Sequence, residues 1–289
     1  MSSDAFWQAK GIMSDSGDRP VRFRNPPAVE TLQGVFFRPL PNFSAAHQGL
    51  LWANHFRQDF PHVEERNCLE EIVEPFGNQV PLARGMGIRV SDKPESPRLW
   101  ARSGDESRVL QIQRNAIAMN WLRKSEASDY VDYDKRRAEF RSNVTKLTQF
   151  LSNEGLGQCR PTSCMMTYVN HIDVETLATE PLRAADVFTF FRNETTSGWL
   201  PSPDQLAINV SYPMPDERGR LHVQINPAVK PTRDKPRYVM RFELTARGKP
   251  EAATIESAVE WLDVGHEWIV RGFVDITHPS WQLRWERET

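Results

Sequence analysis

The sequence predicts an α+β protein in which antiparallel sheets pack on long helices. Several segments alternate apolar and polar residues, which is typical of strands with one buried and one solvated face. Two longer segments place apolar residues three and four positions apart, as in an amphipathic helix. Segments rich in proline and glycine separate these patterns and predict loops or turns at residues 75–87, 91–97 and 213–219.

Strand patterns recur along the chain. In residues 237–245, for example, Met240, Phe242 and Leu244 alternate with charged or polar neighbours, so that one face of the strand would be buried. Alternation and short apolar segments predict further strands at residues 33–38, 86–90, 107–113, 163–172, 205–212 and 220–226.

The two amphipathic segments predict helices over residues 133–153 and 254–273. Gly155 lies just past the first helix, where a left-handed cap costs little, and Thr254 is a suitable N-cap for the second. Shorter helices are predicted near residues 44–57 and 181–192.

The order of these elements predicts two halves, each of the form β-α-(β)n-α. The first half covers residues 21–155, the second covers 156–289, and a flexible N-terminal tail covers 1–20. Sheets of this kind curve around a helix and leave a groove. Residues 58–85 are interpreted as a lid or a long connection.

Composition limits the classes of protein that the chain can belong to. Hydrophobic residues form 39% of the chain, which is enough for a core, yet no window approaches the roughly 18 apolar residues of a membrane span. The net charge of −2 creates no field that favours nucleic acid. Three cysteines without a CxxC pair, and an N-terminus unlike a leader peptide, favour a cytoplasmic protein with no membrane association.

Motifs of common enzymes and metal sites do not occur in the sequence. It has no GxGxxG, GxxxxGK[ST], HExxH or GxSxG motif and no paired-cysteine metal set. His47, His55 and His62 are eight and seven residues apart, which would scatter them around a helix rather than aim them at one ion. We therefore expect neither a metal site nor a cofactor.

Two groups of candidate residues belong to the first half. Glu30 ends the NPPAVE segment, where its carboxylate would bind a basic ligand or form an ion pair with Arg22 or Arg24. Polar side chains at predicted inner strands either bond groups across the sheet or bind a ligand. This second group comprises Gln113 and the adjacent pair Asn120 and Trp121.

The second half contributes a strand and a histidine. Tyr168 and Asn170 are two positions apart and so share one face of their predicted strand. His266 lies in the apolar stripe of the last helix, where a neutral imidazole with both nitrogens paired fits into a core. We therefore favour an enclosed, structural His266, hydrogen-bonded to Asn170 or Asp263, over a catalytic one.

Four of the nine tryptophans lie in the last thirty residues of the chain. Trp261 and Trp268 share one side of the predicted helix, and the SWQLRW segment is interpreted as a strand with Trp281 and Trp285 on one face. Surplus aromatic surface of this kind seals a core, binds a planar ligand or forms a protein interface.

The order of short motifs resembles a sporadically distributed family of bacterial and archaeal proteins of unknown function, over about residues 25–285. The motifs are P-x-x-E, an asparagine–tryptophan pair, Y-x-N and H-x-x-I-x-x-x-F. The resemblance implies genes on mobile elements, near defence functions, and implies no reaction. The matching residues are Glu30, Gln113, Asn120, Trp121, Tyr168, Asn170, His266, Ile269 and Phe273.

The leading hypothesis is a non-enzymatic binding or interaction protein, with a protein partner or as a homo-oligomer, in a mobile-element defence or toxin–antitoxin-like system. The absence of catalytic motifs and the C-terminal tryptophans favour it. The first alternative is a hydrolase or nuclease-like enzyme with a groove site centred on His266 and including Glu30, Asn120 or Asn170.

The second alternative is a nucleic-acid-binding module. Its phosphate contacts would come from Arg136, Arg137 and the basic segment 233–237, and exposed tryptophans would stack on bases.

Overall fold

A nine-stranded antiparallel sheet organises the chain in the computed structural model, which describes residues 21–76, 97–125, 130–173, 184–190, 206–230 and 236–288. The predicted α+β class with antiparallel strands is confirmed. Two predicted features, the tail 1–20 and the strand 86–90, lie outside the described residues. The predicted helix 181–192 is described over residues 184–190, where the helix covers only Ala184–Val187.

The strands are β1 (Arg22–Phe23), β2 (Ala28–Phe37), β3 (His62–Arg66), β4 (Arg98–Arg102), β5 (Arg108–Gln113), β6 (Ala116–Leu122), β7 (Pro161–Asp173), β8 (Ile208–Pro213), β9 (Gly219–Lys230), β10 (Arg237–Gly248) and β11 (Arg287–Glu288). The large sheet has the order β3-β4-β5-β6-β2-β7-β10-β9-β8, and β1 pairs with β11 in a separate two-stranded sheet. All these pairs are antiparallel.

The helices are α1 (Ala45–His55), α2 (Tyr133–Asn153), α3 (Ala184–Val187), α4 (Ile255–Ile276) and α5 (Pro279–Arg284). The predicted cap of α4 is confirmed, because the Thr254 hydroxyl accepts a hydrogen bond from the amide of Ser257 at 3.2 Å. Gly155, after α2, has the left-handed φ of 64° that ends a helix. Of the helices in the described residues, α2 and α4 have 21 and 22 residues, α1 has 11, and the other two are shorter, so long helices are not the rule there.

Alternation along the strands gives the sheet two different faces. On β10, Phe242 and Leu244 are fully buried in the core that α4 covers, as the sequence predicts. We call this side the helix face; it also carries Thr31 of β2 and Tyr168 of β7, which are register partners. We call the other side, which carries Glu30, the opposite face.

The strand order brings the two predicted halves together at the centre of the sheet. In each half, the last strand pairs with the first, β6 with β2 and β10 with β7, and the earlier strands extend outward. The two first strands, β2 and β7, pair with each other. A duplicated unit would have this arrangement, and the duplication itself stays a prediction.

A segment of extended chain, residues 67–76, crosses the opposite face from the first half to the second. Glu71 accepts a hydrogen bond from Ser163 at 2.7 Å, and Glu74 contacts His222 at 2.8 Å. Burial opposes ionisation of Glu74, but His222 and the nearby Arg247 outweigh it, so that the pKa of Glu74 lies below its usual value. The described part of the predicted lid or connection is thus strand β3 and this ordered crossing.

The prediction of a C-terminal strand is wrong, because the SWQLRW segment lies in helix α5. Pro279 occupies the first turn, where its missing amide hydrogen costs nothing. Trp281 and Trp285 are four residues apart and therefore share one side of the helical turn, with ring centroids 5.7 Å apart. Trp285 also packs against Phe273 at 5.1 Å. Both tryptophans are buried and seal the core.

Candidate functional site

A pocket of about 540 Å³ opens on the helix face, in the seam between α2 and α4. Its floor is the central strand pair, at Ala28 of β2 and Tyr168 and Asn170 of β7. The start of α2 and the middle of α4 form its walls, and residues 21–24 run along its edge. Pairing of β2 with β7 therefore positions the pocket where the two predicted halves meet.

The buried side chain of Arg136 lies beneath this pocket. Its Nε donates to the carbonyl oxygen of Val131 at 2.9 Å, and Nη1 donates to the hydroxyl of Thr31 at 2.5 Å. Nη2 donates to the hydroxyls of Tyr130 at 2.7 Å and Tyr168 at 2.9 Å. Arg136 is 1% exposed, and it therefore cannot reach the phosphates of a nucleic acid. The prediction that it forms part of a basic binding surface is wrong.

Arg136 keeps its positive charge in this environment. Burial alone would lower its pKa, but Tyr168 and Tyr130 outweigh burial, and the pKa of Arg136 is raised. The guanidinium also lies 5.1 Å from the ring centroid of Tyr168 and 5.3 Å from that of Tyr130, within the range of cation–π attraction. None of its hydrogen-bond partners in the described part of the chain is a carboxylate.

Tyr168 connects Arg136 to His266. The Tyr168 hydroxyl lies 2.9 Å from Nδ1 of His266. A guanidinium only donates, so Tyr168 accepts from Arg136, and its own hydroxyl hydrogen is available to donate to Nδ1. We therefore assign the imidazole proton to Nε2. The expectation that Asn170 or Asp263 bonds His266 is wrong, because Asn170 donates to the carbonyl oxygen of Phe242.

His266 is partly buried and lines the pocket, which corrects the expectation of an enclosed ring. One ring face is covered by Tyr133, with centroids 3.8 Å apart and planes 14° from parallel. Burial and the charge of Arg136 lower the pKa of His266 to about 3. The imidazole is therefore neutral near physiological pH and presents Nε2–H as a hydrogen-bond donor. In the described ranges, no protein atom accepts from Nε2.

Asp263 fixes the tyrosine that covers His266. Its carboxylate accepts from the Tyr133 hydroxyl at 2.8 Å and from Nε and Nη2 of Arg137 at 2.5 and 2.6 Å. Such a bidentate pair is geometrically rigid. Asp263 is thus compensated, and Tyr133 is held against the imidazole.

The outer edge of the pocket is also paired. Arg22 contacts Asp134 at 3.1 Å and Asp132 at 3.5 Å, and all three side chains are well exposed. On α4, Arg271 contacts Glu267 at 2.8 Å. Exposed pairs of this kind contribute little to stability.

Three sequence-predicted site residues lie on the opposite face. The Asn120 amide donates to Glu30 at 2.6 Å and its oxygen accepts from Gln111. Gln113 bonds the backbone of Leu69 in the crossing segment. The predicted ion pair of Glu30 with Arg22 or Arg24 is wrong, since the alternation of β2 and β6 directs Glu30 and Asn120 away from the helices. These residues cannot share a groove with His266.

Trp121, in contrast, lies on the helix face as part of the core. It is 4% exposed, and its ring meets that of Tyr130 edge to face at 5.5 Å. It therefore supports Tyr130 from behind. Of the predicted candidates, only Tyr168, Asn170 and His266 line the pocket.

The sequence patterns did not predict the roles of Arg136, Tyr130 and Tyr133 at this pocket, since they place Arg136 on a nucleic-acid surface. A signal existed, since the apolar stripe of α2, continued backward from Phe140 by four and seven residues, reaches Arg136 and Tyr133. A charged residue on the buried side of a helix is a mark of a functional or structural network.

No protein-family model matches the chain. No curated protein is significantly similar to it. The resemblance to the bacterial and archaeal family therefore stays a prediction. Among the described residues, no helix has the length and apolar character to cross a membrane. Within the same ranges, no cluster of three or more His, Cys, Asp or Glu side chains is placed to hold a metal ion.

The pKa of His266 makes stability depend on pH in a specific direction. Its pKa is about 3 in the folded chain and about 6.5 in the unfolded chain, so only the unfolded state takes up this proton between these values. This proton uptake should lower the free energy of unfolding as the pH falls from about 6.5 towards 3. We expect His266→Asn to weaken that pH dependence, because its Oδ1 can still accept from Tyr168 while the titrating group is gone.

Urea unfolding of the wild type and H266N at about pH 7 and about pH 5 measures this effect. His62→Asn, at an exposed position on β3, is the control for loss of a histidine as such. Equal pH dependence of stability in the wild type and H266N would contradict a lowered pKa for His266.

Proposed function

We propose that this chain is a binding protein without catalytic activity and that its pocket receives a small organic molecule. The pocket of about 540 Å³ is the observation on which this proposal rests. Its size is in the usual range for ligand sites of about 300–1,000 Å³. It combines an apolar wall around Ile269 and Phe273 with fixed polar groups around His266 and charged residues at its edge.

The state of His266 favours binding over the hydrolase or nuclease alternative. A general base needs a pKa near the working pH and an unoccupied nitrogen that can take a proton. His266 has a pKa of about 3, and its Nδ1 is occupied by Tyr168. The group is suited to orient a ligand through Nε2–H.

The biological setting is a separate part of the proposal. The resemblance described above supports a mobile-element defence or toxin–antitoxin-like system, and the leading sequence hypothesis adds a protein partner or a homo-oligomer. Co-purification of the full chain with the products of neighbouring genes tests this part.

A substitution that fills the pocket tests ligand binding. Val270 lines the pocket and is partly buried on α4, so the indole of Val270→Trp would occupy ligand space. We expect small molecules found by a ligand-observed NMR screen of the wild type to bind V270W at least about tenfold more weakly.

Val264→Trp is the matched control, because Val264 is partly buried on the same helix but does not line the pocket. V264W should retain the affinity of the wild type. Equal affinities in the wild type and V270W, or no binding of any screened compound to the wild type, would overturn the proposed function.

A further inference from the structure

A chain of hydrogen bonds directs positive potential into the pocket. Arg136 donates to Tyr168, and Tyr168 contacts Nδ1 of His266. With the tautomer assigned above, Tyr168 donates to Nδ1 and Nε2–H is the end of the series of hydrogen bonds. Successive hydrogen bonds polarise one another, and the effect is larger where water is excluded. The terminal Nε2–H is therefore a stronger donor than an isolated neutral imidazole.

The guanidinium of Arg136, with which this series of hydrogen bonds begins, has no carboxylate partner in the described part of the molecule. It bonds only hydroxyl and carbonyl oxygens. The nearby carboxylates have partners of their own. Asp263 is held by Arg137 and Tyr133, and Arg22 contacts both Asp132 and Asp134. An acceptor placed at Nε2 would thus approach a buried cation that no carboxylate among the described residues contacts.

One part of the pocket surface suits a hydrocarbon, while charged side chains lie at its edge. Phe23, Leu244, Ile269 and Phe273 line it, and the rings of Phe23 and Phe273 meet edge to face at 5.3 Å. Burial of apolar area against this wall would supply most of the binding energy. A polar group at one end of the ligand would then be oriented by His266.

We infer that the ligand is a small amphipathic acid whose carboxylate accepts a hydrogen bond from Nε2 of His266 while its apolar body lies against Phe23, Ile269 and Phe273. The inference rests on the proposed function of this pocket. It specifies the charge of the ligand and the residue that binds the charged group.

Three probes with the same body and different charge test the inference. Phenylbutyrate, phenylbutyramide and phenylbutylamine are titrated into the full chain at neutral pH by calorimetry. The carboxylate should bind at least about tenfold more tightly than the amide, and the amine should bind most weakly. In H266N, which keeps an acceptor for Tyr168 but lacks Nε2, the affinities for carboxylate and amide should become nearly equal.

The outcomes separate this inference from the proposed function. Binding of the amide or amine as tight as that of the carboxylate overturns the inference and leaves a binding pocket. The inference is also overturned, and the binding pocket kept, if none of the three probes binds while neutral or cationic fragments do. An undiminished preference for the carboxylate in H266N also overturns it. If no compound of any charge binds, both proposals are overturned.

Discussion

Replacement of Arg136 by alanine is expected to lower the free energy of unfolding by about 3 kcal/mol or more. The guanidinium makes four hydrogen bonds in a fully buried position. Its loss would remove the donor that Arg136 supplies to Thr31, Tyr130 and the carbonyl oxygen of Val131, and would open a cavity beneath the pocket. Urea unfolding at neutral pH measures the change.

The comparison variants separate geometry from charge. Arg141→Ala removes an exposed arginine from the same helix and should change the free energy of unfolding by no more than about 0.5 kcal/mol. Arg136→Lys keeps the positive charge but lacks the planar fork of donors, so it should recover less than half of the loss. If R136A were no less stable than R141A, the network would have no structural role.

Trp261→Ala is expected to have the largest effect, a loss of about 4 kcal/mol in the free energy of unfolding. The indole is 1% exposed, and its Nε1 donates to the carbonyl oxygen of Arg218 at 2.8 Å. Alanine would therefore leave both a large cavity and an unpaired carbonyl. Thermal and urea unfolding measure the loss. Trp268→Ala, on the same side of α4 but only partly buried, should cost clearly less.

The same contact makes Gly248 sensitive to substitution. A Cβ atom at Gly248 would clash with the carbonyl oxygen of Arg218 and lie 2.6 Å from Cζ2 of Trp261, which is closer than carbon atoms pack. Gly248→Ala should therefore also destabilise the chain strongly. Gly49→Ala is the control, because no atom lies within 4 Å of the added carbon and alanine favours the helix. A G248A variant as stable as G49A would show that Gly248 is not closely packed against Arg218 and Trp261.

Local patterns made the fold class predictable from the sequence. The alternation of Met240, Phe242 and Leu244 with polar residues predicts a strand, because only a strand places all three side chains on one buried face. The stripe of α4 and the cap at Thr254 likewise depend on residues close together in the chain. The SWQLRW segment does not distinguish strand from helix, because tryptophans four residues apart fit one face of a strand and one side of a helix equally well.

The site was less predictable because it depends on pairing between distant segments. Tyr168 meets His266 across 98 positions, and Arg136 meets Thr31 across 105. Sequence alone does not give the register that decides such contacts. The prediction of a groove shared by Glu30, Asn120 and His266 is wrong for the same reason. Alternation along the strands directs Glu30 and Asn120 to the other side of the sheet.

The pairing of β2 with β7 has a consequence for how quickly the native state forms. Register partners such as Val35 and Cys164 are well over a hundred residues apart. Pairing of these strands must close a long loop, at a cost in chain entropy, before the hydrogen bonds between them contribute stability. High contact order of this kind slows folding. Refolding after dilution from denaturant should therefore be limited by assembly of the middle of the molecule, after the hairpins on either side have formed.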